Sequence, residues 1–368
     1  MGIIRLLLAI AVIVAHSTKI SGLSFVGPIT AVRGFFMISG FTISMVLVEK
    51  YAKYKNSYRL FITNRFLKIY PAYWVILTIT ILFSFLVFEY SKAVTAYGNF
   101  GQLSGLLSFF PQMNPLAKLW ILFTNIFVIG QDTLLFLGLN TRTGALFFTP
   151  VFWKHYPELH YFLLIPVAWV IALQIYFYLI APKLVKLRSI VLILLIAGLL
   201  VIRVTLERYG LVEDPWNYRF FPTELPYFLL GILSYRLYGK LRTISTRGVL
   251  SYVVLFGVIA VTIFFPKTST ATENAVYTGV LFISMPYMFS ICRHWKFDRY
   301  IGELSYVVFL SQIFVLTTME IVRWRVIGST GLTAVMLTLI LSVVLQQIVL
   351  TPIYAFRSKV PDLFGKRI

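Results

Sequence analysis

The sequence predicts an all-α fold, a polytopic transmembrane bundle of about ten membrane-spanning helices with both termini on the cytoplasmic side. Hydrophobic residues make up 59% of the 368 residues and charged residues only 12%, which is far more apolar than a soluble domain. Apolar runs of the length that crosses a bilayer recur along the whole chain. Lys and Arg concentrate in alternate connecting segments, as they do on the cytoplasmic side of membrane proteins.

The apolar runs follow one another without a break that would mark a second domain. We expect spans near residues 3–20, 31–48, 69–88, 159–181, 189–204, 220–236, 249–265, 275–292, 303–320 and 332–354. One integral membrane domain should therefore cover residues 1–368, with no fused extracytoplasmic domain.

The connecting segments differ in charge according to the side on which they are expected to lie. Segments 49–68, 183–188, 236–247, 293–300 and the tail after 356 hold 20 Lys and Arg against 3 Asp and Glu. The opposite side holds 12 against 8, so the positive-inside rule places the first set in the cytoplasm. The Lys and Arg side chains that give the chain its net charge of +20 would then lie against anionic lipid headgroups. Because no nucleic-acid-binding motif interrupts the apolar runs, we exclude nucleic acid as a partner.

The stretch 89–158 is the hardest to place in this topology. Its apolar run 116–138 contains Asn125, Gln131 and Asp132, and the charge bias requires an even number of crossings here. We favour a re-entrant or interfacial segment, because irregular polar backbone is tolerated at membrane depth only where protein or a water-filled cavity shelters it. A pair of extra spans is the alternative.

Two ionisable side chains stand out in the first span. Eleven helical steps from Arg5 to His16 return to within about 20° of the starting face, with the two residues about 16 Å apart along the axis. Arg5 would lie at the cytoplasmic surface and His16 in the outer half of the membrane. Both are costly there unless they face a polar cavity or a partner. A signal-anchor helix with an incidental His is the alternative interpretation.

Two further stretches carry candidate site residues. Ser39 and Gly40, within an aromatic span, permit close approach of a ligand or, as the ordinary explanation, of a neighbouring helix. Arg65 and Lys68 lie one helical turn apart on one face. Two cations so placed can hold a phosphate, or they can anchor the chain at the membrane interface.

Together these stretches resemble the acyltransferase 3 family of integral membrane acyltransferases. Arg5 and His16 match the family signature of Arg, ten residues and His, and residues 35–41 match its Phe-Phe-x-x-Ser-Gly-Phe stretch. Arg65 and Lys68 match its Arg-x-x-Arg motif, followed by Ile-Tyr-Pro-Ala-Tyr-Trp. Further matches at 169–182, 220–231 and 302–306 extend the resemblance over nearly the whole chain.

The chain departs from the family pattern at several positions, among them Val170, where the family has Ser. Gln174 stands where the family has Glu and Gln312 where it has His, which keeps hydrogen bonding but removes charge or proton exchange. Lys68 replaces the second Arg of the motif and loses its bidentate geometry.

The resemblance implies transfer of an acyl group, usually acetyl, from cytoplasmic acyl-CoA to a hydroxyl of a cell-surface or exported glycan. His16 would be the general base or, as the alternative, an acyl-carrying nucleophile. Arg5, Arg65 and Lys68 would bind the CoA phosphates. The residues expected to support the site or to line the substrate path are Arg33, Ser39, Tyr70, Trp169, Gln174, Glu224 and Gln312.

The same resemblance sets the expected partners. Acyl-CoA is the co-substrate, with no bound cofactor and no metal, and a glycan or lipid-linked saccharide is the acceptor. The expected location is the cytoplasmic (inner) membrane of a bacterium. The alternative is a transporter, or a family member that has lost catalysis and only binds a lipid-linked saccharide. Gln174 and Gln312 favour this alternative, and intramembrane charges also mark transport paths.

Overall fold

The computed structural model describes residues 1–23, 25–91, 106–241, 248–266, 270–322, 324 and 326–364. Helices account for most of them: α1 Gly2–Ala15, α2 Pro28–Met45, α3 Ser57–Ser91, α4 Pro115–Phe127, α5 Trp169–Leu184, α6 Ser189–Arg208, α7 Phe221–Leu241, α8 Val249–Phe264, α9 Ala271–Cys292, α10 Lys296–Ile321, α11 Thr330–Leu345 and α12 Thr351–Phe364. π-helical turns at Val46–Lys50 and Gln346–Leu350 continue α2 and α11. Two short strands, β1 (Leu137–Leu139) and β2 (Leu146–Phe148), pair antiparallel.

The predicted all-α polytopic architecture is confirmed. Within the described residues, seven segments are long and apolar enough to cross a membrane: Pro28–Lys53, Ser57–Leu86, Pro166–Leu184, Ser189–Arg208, Ala271–Cys292, Lys296–Ile321 and Thr330–Arg357. Helices α1, α4 and α8 are apolar but shorter. Each of the ten predicted spans coincides with a helix. The span predicted at 220–236 coincides with α7, which is not one of the seven segments named above.

Helix α1 ends earlier than the sequence predicts, at Ala15 and not near residue 20. The Ser17 hydroxyl donates to the Ile13 carbonyl at 2.7 Å, and Nδ1 of His16 lies 2.8 Å from the Val12 carbonyl oxygen. Such local side-chain bonds to the backbone compete with further helix. His16 is therefore the residue that terminates the helix and not one inside it.

Helix α3 begins earlier than predicted, at Ser57 and not near residue 69. The basic segment before the apolar run is itself helical, so Arg65 and Lys68 lie inside α3 and Pro71 is an interior proline. Helix α5 begins at Trp169 and not near 159, after irregular turns. An apolar run marks the part of a helix that is buried, and polar helical turns beyond it leave no such signal.

The run 116–138 forms a short helix followed by irregular chain. At 13 residues, α4 is about 20 Å long, which is less than the ~30 Å of a bilayer core. Its last three carbonyls accept hydrogen bonds from side chains of α3: Tyr73 OH bonds Asn125, Trp74 Nε1 bonds Ile126 at 2.9 Å and Tyr70 OH bonds Phe127 at 2.6 Å. A helix end at membrane depth needs such partners, as the predicted re-entrant segment requires.

Helices α2 and α7 approach each other closely at a pair of glycines. A Cβ atom at Gly40 would lie 2.1 Å from the Phe228 carbonyl oxygen, and one at Gly231 would lie 2.1 Å from that of Met37. The backbones of the two helices are therefore in contact at the position where each helix has a glycine. The small residue at position 40 serves helix packing, which was the ordinary explanation for it.

The segments predicted to be cytoplasmic meet at one end of the bundle. Hydrogen bonds join Tyr235 to Glu49 (3.2 Å), Arg236 to Ser189 (2.9 Å) and Arg293 to Tyr238 (2.7 Å). Residues 242–247 of the predicted cytoplasmic segment 236–247 lie outside the described residues. The grouping of these segments at one end agrees with the charge argument, and the side of the membrane stays a prediction.

We expect Gly40→Ala to destabilise the protein by about 1–3 kcal/mol, because the added methyl must displace backbone of α7. Thermal unfolding of the purified protein in detergent measures the effect. Gly279→Ala is the matched control, since a Cβ there meets no described atom within 4 Å. The control should be neutral or gain about 0.5–1 kcal/mol from helix propensity. Equal midpoints for both variants would contradict the close packing of α2 on α7.

We expect Lys55 to be cytoplasmic and Tyr156 to lie on the opposite side. Both side chains are exposed, so a cysteine at either position can be labelled by a membrane-impermeant reagent in a Cys292→Ser background. Lys55→Cys should react only after permeabilisation, and Tyr156→Cys should react in intact spheroplasts of the expression host. The reverse pattern would invert the bundle and move His16 to the inner half.

Candidate active site

A cavity of about 850 Å³ opens at the end of the bundle where α1 terminates. Its wall is aromatic to an unusual degree, with side chains of Phe152, Trp153, Trp169, Tyr218, Phe309 and Trp324. Among them lie the polar side chains of His16, Glu158, His160, Arg219 and Glu320. Large apolar faces with a few convergent polar groups are typical of a small-molecule binding site.

His16 lines this cavity and is exposed to it. Helix α1 ends one residue before His16, and the place of His16 in the outer half of the membrane stays a prediction. Donation from Nδ1–H to the Val12 carbonyl at 2.8 Å fixes the ring and places the lone pair of the neutral imidazole on Nε2. A neutral imidazole held in this way is suited to accept a proton at Nε2.

Two pairs of polar side chains near the cavity wall escaped the sequence analysis. Nδ1 of His160 lies 3.0 Å from a carboxylate oxygen of Glu158, and Nε of Arg219 donates to both carboxylate oxygens of Asp214 at 2.8 and 2.9 Å. Burial lowers the pKa of His160, which the Glu158 carboxylate opposes. Burial raises the pKa of Asp214, and the nearby charge of Arg219 partly opposes this increase. The partners of each pair are close in sequence, but the two pairs come from irregular segments far apart in the chain. No spacing in the sequence therefore signals that the two pairs lie near each other.

Trp169 also lines this wall. The guanidinium of Arg219 lies 4.8 Å from the centre of its ring, and Tyr218 meets the ring edge-on with centroids 4.7 Å apart. A stacked guanidinium and two aromatic rings make a flat, polarisable surface with little conformational freedom.

A second, much smaller cavity of about 30 Å³ lies nearer the opposite end. Arg5, Ser39, Gln174 and Tyr306 line it, and Nε2 of Gln174 donates to the Ser39 hydroxyl at 2.6 Å. Three predicted site residues are thus together: Arg5, Ser39 and Gln174. The amide of Gln174 therefore bonds in the small cavity that Arg5 lines, whereas His16 lines the large cavity.

Val170 and Phe309 line both cavities, which are therefore neighbours along one face of α1. Phe35 packs edge-on against Phe309 with ring centroids 5.6 Å apart. These rings form the constriction between the two spaces.

Four cations gather at the end of this path where Arg5 lies. The charges of Arg5, Arg65 and Arg357 all act on Lys68, and Glu303 is the acid that acts on the same group. Nε of Arg65 is buried and has no hydrogen-bond partner among the described residues. The predicted trio of Arg5, Arg65 and Lys68 is thus assembled, together with Arg357, which the sequence analysis assigned only to the basic tail.

Arg33 and Glu224 lie elsewhere, in a buried ion-paired cluster between α2 and α7. Nη2 of Arg33 donates to Oε1 of Glu224 at 2.9 Å, and Nη2 of Arg203 lies 3.3 Å from the same oxygen. Nη2 of Arg33 also donates to the Asn217 carbonyl at 2.8 Å. In the described part of the chain neither Arg33 nor Glu224 lines either cavity, so both support the fold of this region.

Tyr70 and Gln312 are also placed behind the cavities. Tyr70 holds the end of α4, as described above. Gln312 is fully buried, and its Nε2 donates to the Phe309 carbonyl at 2.9 Å. It therefore backs the residue that forms the constriction. Among the described residues, no three His, Cys, Asp or Glu side chains are grouped as a metal site.

Comparison with known proteins adds one positive finding. No curated protein and no solved structure matches the chain. A family model described as an acyltransferase domain, that of acyltransferase 3, matches residues 1–348. The motifs that carry the resemblance lie within this range. Residues of several of them, among them Arg5, His16 and Trp169, line the two cavities. The match spans nearly the whole sequence, and the chain belongs to the acyltransferase 3 family of membrane acyltransferases.

Proposed function

We propose that this membrane acyltransferase moves an acetyl group from cytoplasmic acetyl-CoA to a hydroxyl of a cell-surface or exported glycan. The observation that carries the proposal is the placement of the two ends of α1. One end brings Arg5 together with Arg65, Lys68 and Arg357. The other end brings His16 to a large aromatic cavity. A donor and an acceptor can thus approach the same helix from opposite ends.

The inner end suits the donor because of its charge. Arg5, Arg65 and Lys68 lie together, and the carboxylate of Glu303 acts on Arg5 and Lys68. Coenzyme A carries its phosphates at one end and its thioester at the other. Phosphates bound at this cluster would direct the acyl arm between the helices, past Phe35 and Phe309, toward His16.

The outer cavity suits a saccharide because of its walls. Aromatic rings such as Trp153, Trp169 and Trp324 offer flat apolar faces, and Glu158 and Arg219 offer hydrogen bonds at the edges. Sugar rings have apolar C–H faces and hydroxyl edges, so both kinds of surface are matched. A lipid-linked saccharide in the outer leaflet of a bacterial inner membrane is the acceptor class that fits this position.

In the proposed reaction His16 acts as general base. The acceptor hydroxyl gives its proton to Nε2 as its oxygen attacks the thioester carbonyl, and the imidazolium then returns a proton to the departing CoA thiolate. The hydrogen bond from Nδ1 to Val12 holds the ring in the required tautomer. Direct transfer between two bound substrates gains from proximity without needing an acyl-imidazole.

A second candidate function rests on Gln174. In the structure its amide bonds Ser39, so the position that carries an acid in the family pattern supplies no charge here. A protein without catalysis would still bind a lipid-linked saccharide in the outer cavity. Transfer of radiolabelled acetyl from acetyl-CoA to a glycan and glycolipid extract of the source membranes separates the two functions.

We expect His16→Ala to lower this acetyl transfer by about 10²–10⁴-fold, the usual contribution of a general base. Affinity for CoA, measured on the purified protein, should stay near normal, because His16 lies at the other end of α1 from the cations. His155→Ala is the control: this imidazole bonds Thr149 and lies outside the described lining of both cavities.

A folded His16→Ala protein that transfers acetyl at a rate near that of the wild type would remove His16 from the mechanism. Incubation with labelled acetyl-CoA and no acceptor distinguishes the two roles of the imidazole. A base leaves the protein unlabelled, whereas a nucleophile gives label that His16→Ala abolishes.

We expect Arg65→Ala and Lys68→Ala each to weaken CoA binding by about 10- to 100-fold, since each removes a charge-assisted phosphate contact worth roughly 1.5–3 kcal/mol. Isothermal titration with CoA measures the affinity. Arg59→Ala, an exposed cation on the same helix, should leave it unchanged. Lys68→Arg restores the bidentate group and should bind at least as tightly. Wild-type affinity in the Arg65→Ala, Lys68→Ala double variant would place the donor phosphates elsewhere.

A further inference from the structure

Arg357 is an unexplained cation in the described structure. It lies on α12, beyond residue 348 where the family match ends, so the family pattern assigns it no role. Its guanidinium lies 5.0 Å from the centre of the Tyr354 ring. Nε and Nη1 of Arg357 are both buried and have no hydrogen-bond partner among the described residues. Buried donors without partners are costly, which points to a ligand that satisfies them.

The surroundings of Arg357 indicate the charge of that ligand. Helix α12 packs against α3, and the charges of Arg357 and Arg65 act on each other and on Lys68. Glu303 is the carboxylate that acts on this group. Several cations with one acid in a mostly apolar bundle are unfavourable unless an anion neutralises them.

The geometry of the free donors indicates the chemical class. Nε–H and an Nη–H of one guanidinium form the fork that binds two oxygens of a phosphate at once. Lys68 stands where the family pattern has Arg and lacks such a fork. Arg357 offers the missing fork from another helix.

We propose that Arg357 completes a phosphate-binding site with Arg5, Arg65 and Lys68, and that its ligand is the phosphate-bearing end of coenzyme A. The choice of coenzyme A rests on the proposed function. A phosphate of an anionic lipid headgroup has the same chemistry and is the competing source. The last helix is then part of the donor site and not only a basic tail.

The test compares ligands that differ in their phosphates. Purified protein in phosphatidylcholine nanodiscs is titrated with CoA, with dephospho-CoA, which lacks the 3′-phosphate, and with pantetheine, which lacks all phosphates. Arg357→Ala should weaken CoA binding by about 10- to 100-fold, the usual cost of a lost charged contact, and leave pantetheine binding unchanged. If dephospho-CoA binding is weakened equally, the contact is to the diphosphate, and if it is unaffected, the contact is to the 3′-phosphate.

Two variants separate the charge from the packing of the side chain. Arg357→Gln keeps much of the stem over Tyr354 but removes the charge, and it should show the same loss of affinity in a protein of wild-type thermal stability. Lys359→Ala is the matched control, an exposed cation two residues along the same helix, and it should bind CoA as the wild type does.

Each unfavourable outcome has a distinct meaning. Wild-type CoA affinity in both Arg357 variants would overturn the inference and leave the proposed donor intact. An effect of Arg357→Gln that appears only in nanodiscs containing phosphatidylglycerol would assign the site to lipid and likewise overturn it. A wild-type protein that binds no CoA would overturn the inference and the proposed function together.

Discussion

The cost of an unpaired charge in an apolar bundle governs how this structure is organised. Arg33 meets that cost with Glu224, a fully buried carboxylate that also contacts Arg203. Such a pair is stable only because both partners and their remaining hydrogen bonds are present. Lys68 and the three arginines that act on it, Arg5, Arg65 and Arg357, do not reach the same balance with Glu303. The first cluster is complete without a ligand, and the second is the one for which we propose an anion.

Helix α1 connects the places where chemistry is expected. It packs most closely against α10, which also supplies Phe309 to the constriction between the two cavities. Its two polar side chains are therefore held at a fixed separation by a rigid element. An acyl donor bound at Arg5 would have to part Phe35 from Phe309 to reach His16. In the proposed function this constriction would separate the two ends of the path and limit loss of the donor to water.

Backbone hydrogen bonding explains how α4, which is too short to cross a bilayer, is held in the fold. Helix α4 ends inside the fold, and its final carbonyls would be unsatisfied without Tyr70, Tyr73 and Trp74 of α3. The Tyr-Pro-x-Tyr-Trp stretch at 70–74 has a composition typical of the membrane interface. Its side chains serve here as hydrogen-bond donors to the backbone of another helix. This contact positions the irregular chain after α4, including Asp132, whose carboxylate accepts a hydrogen bond from Tyr176 at 2.7 Å.

The sequence by itself determined the all-α membrane architecture, the family, and the helix that carries Arg5 and His16. Each follows from local quantities: the length of apolar runs, the helical repeat, and motifs within a few turns of chain. Only the tertiary structure decided that Arg33 pairs with Glu224, that Arg357 joins Lys68, and that His16 terminates α1 at a cavity walled by Trp169. These contacts join residues up to about 300 positions apart, and a helix pattern does not encode which faces meet across a bundle. Side-chain partners at helix ends and between helices are settled by packing, and packing is a property of the whole fold.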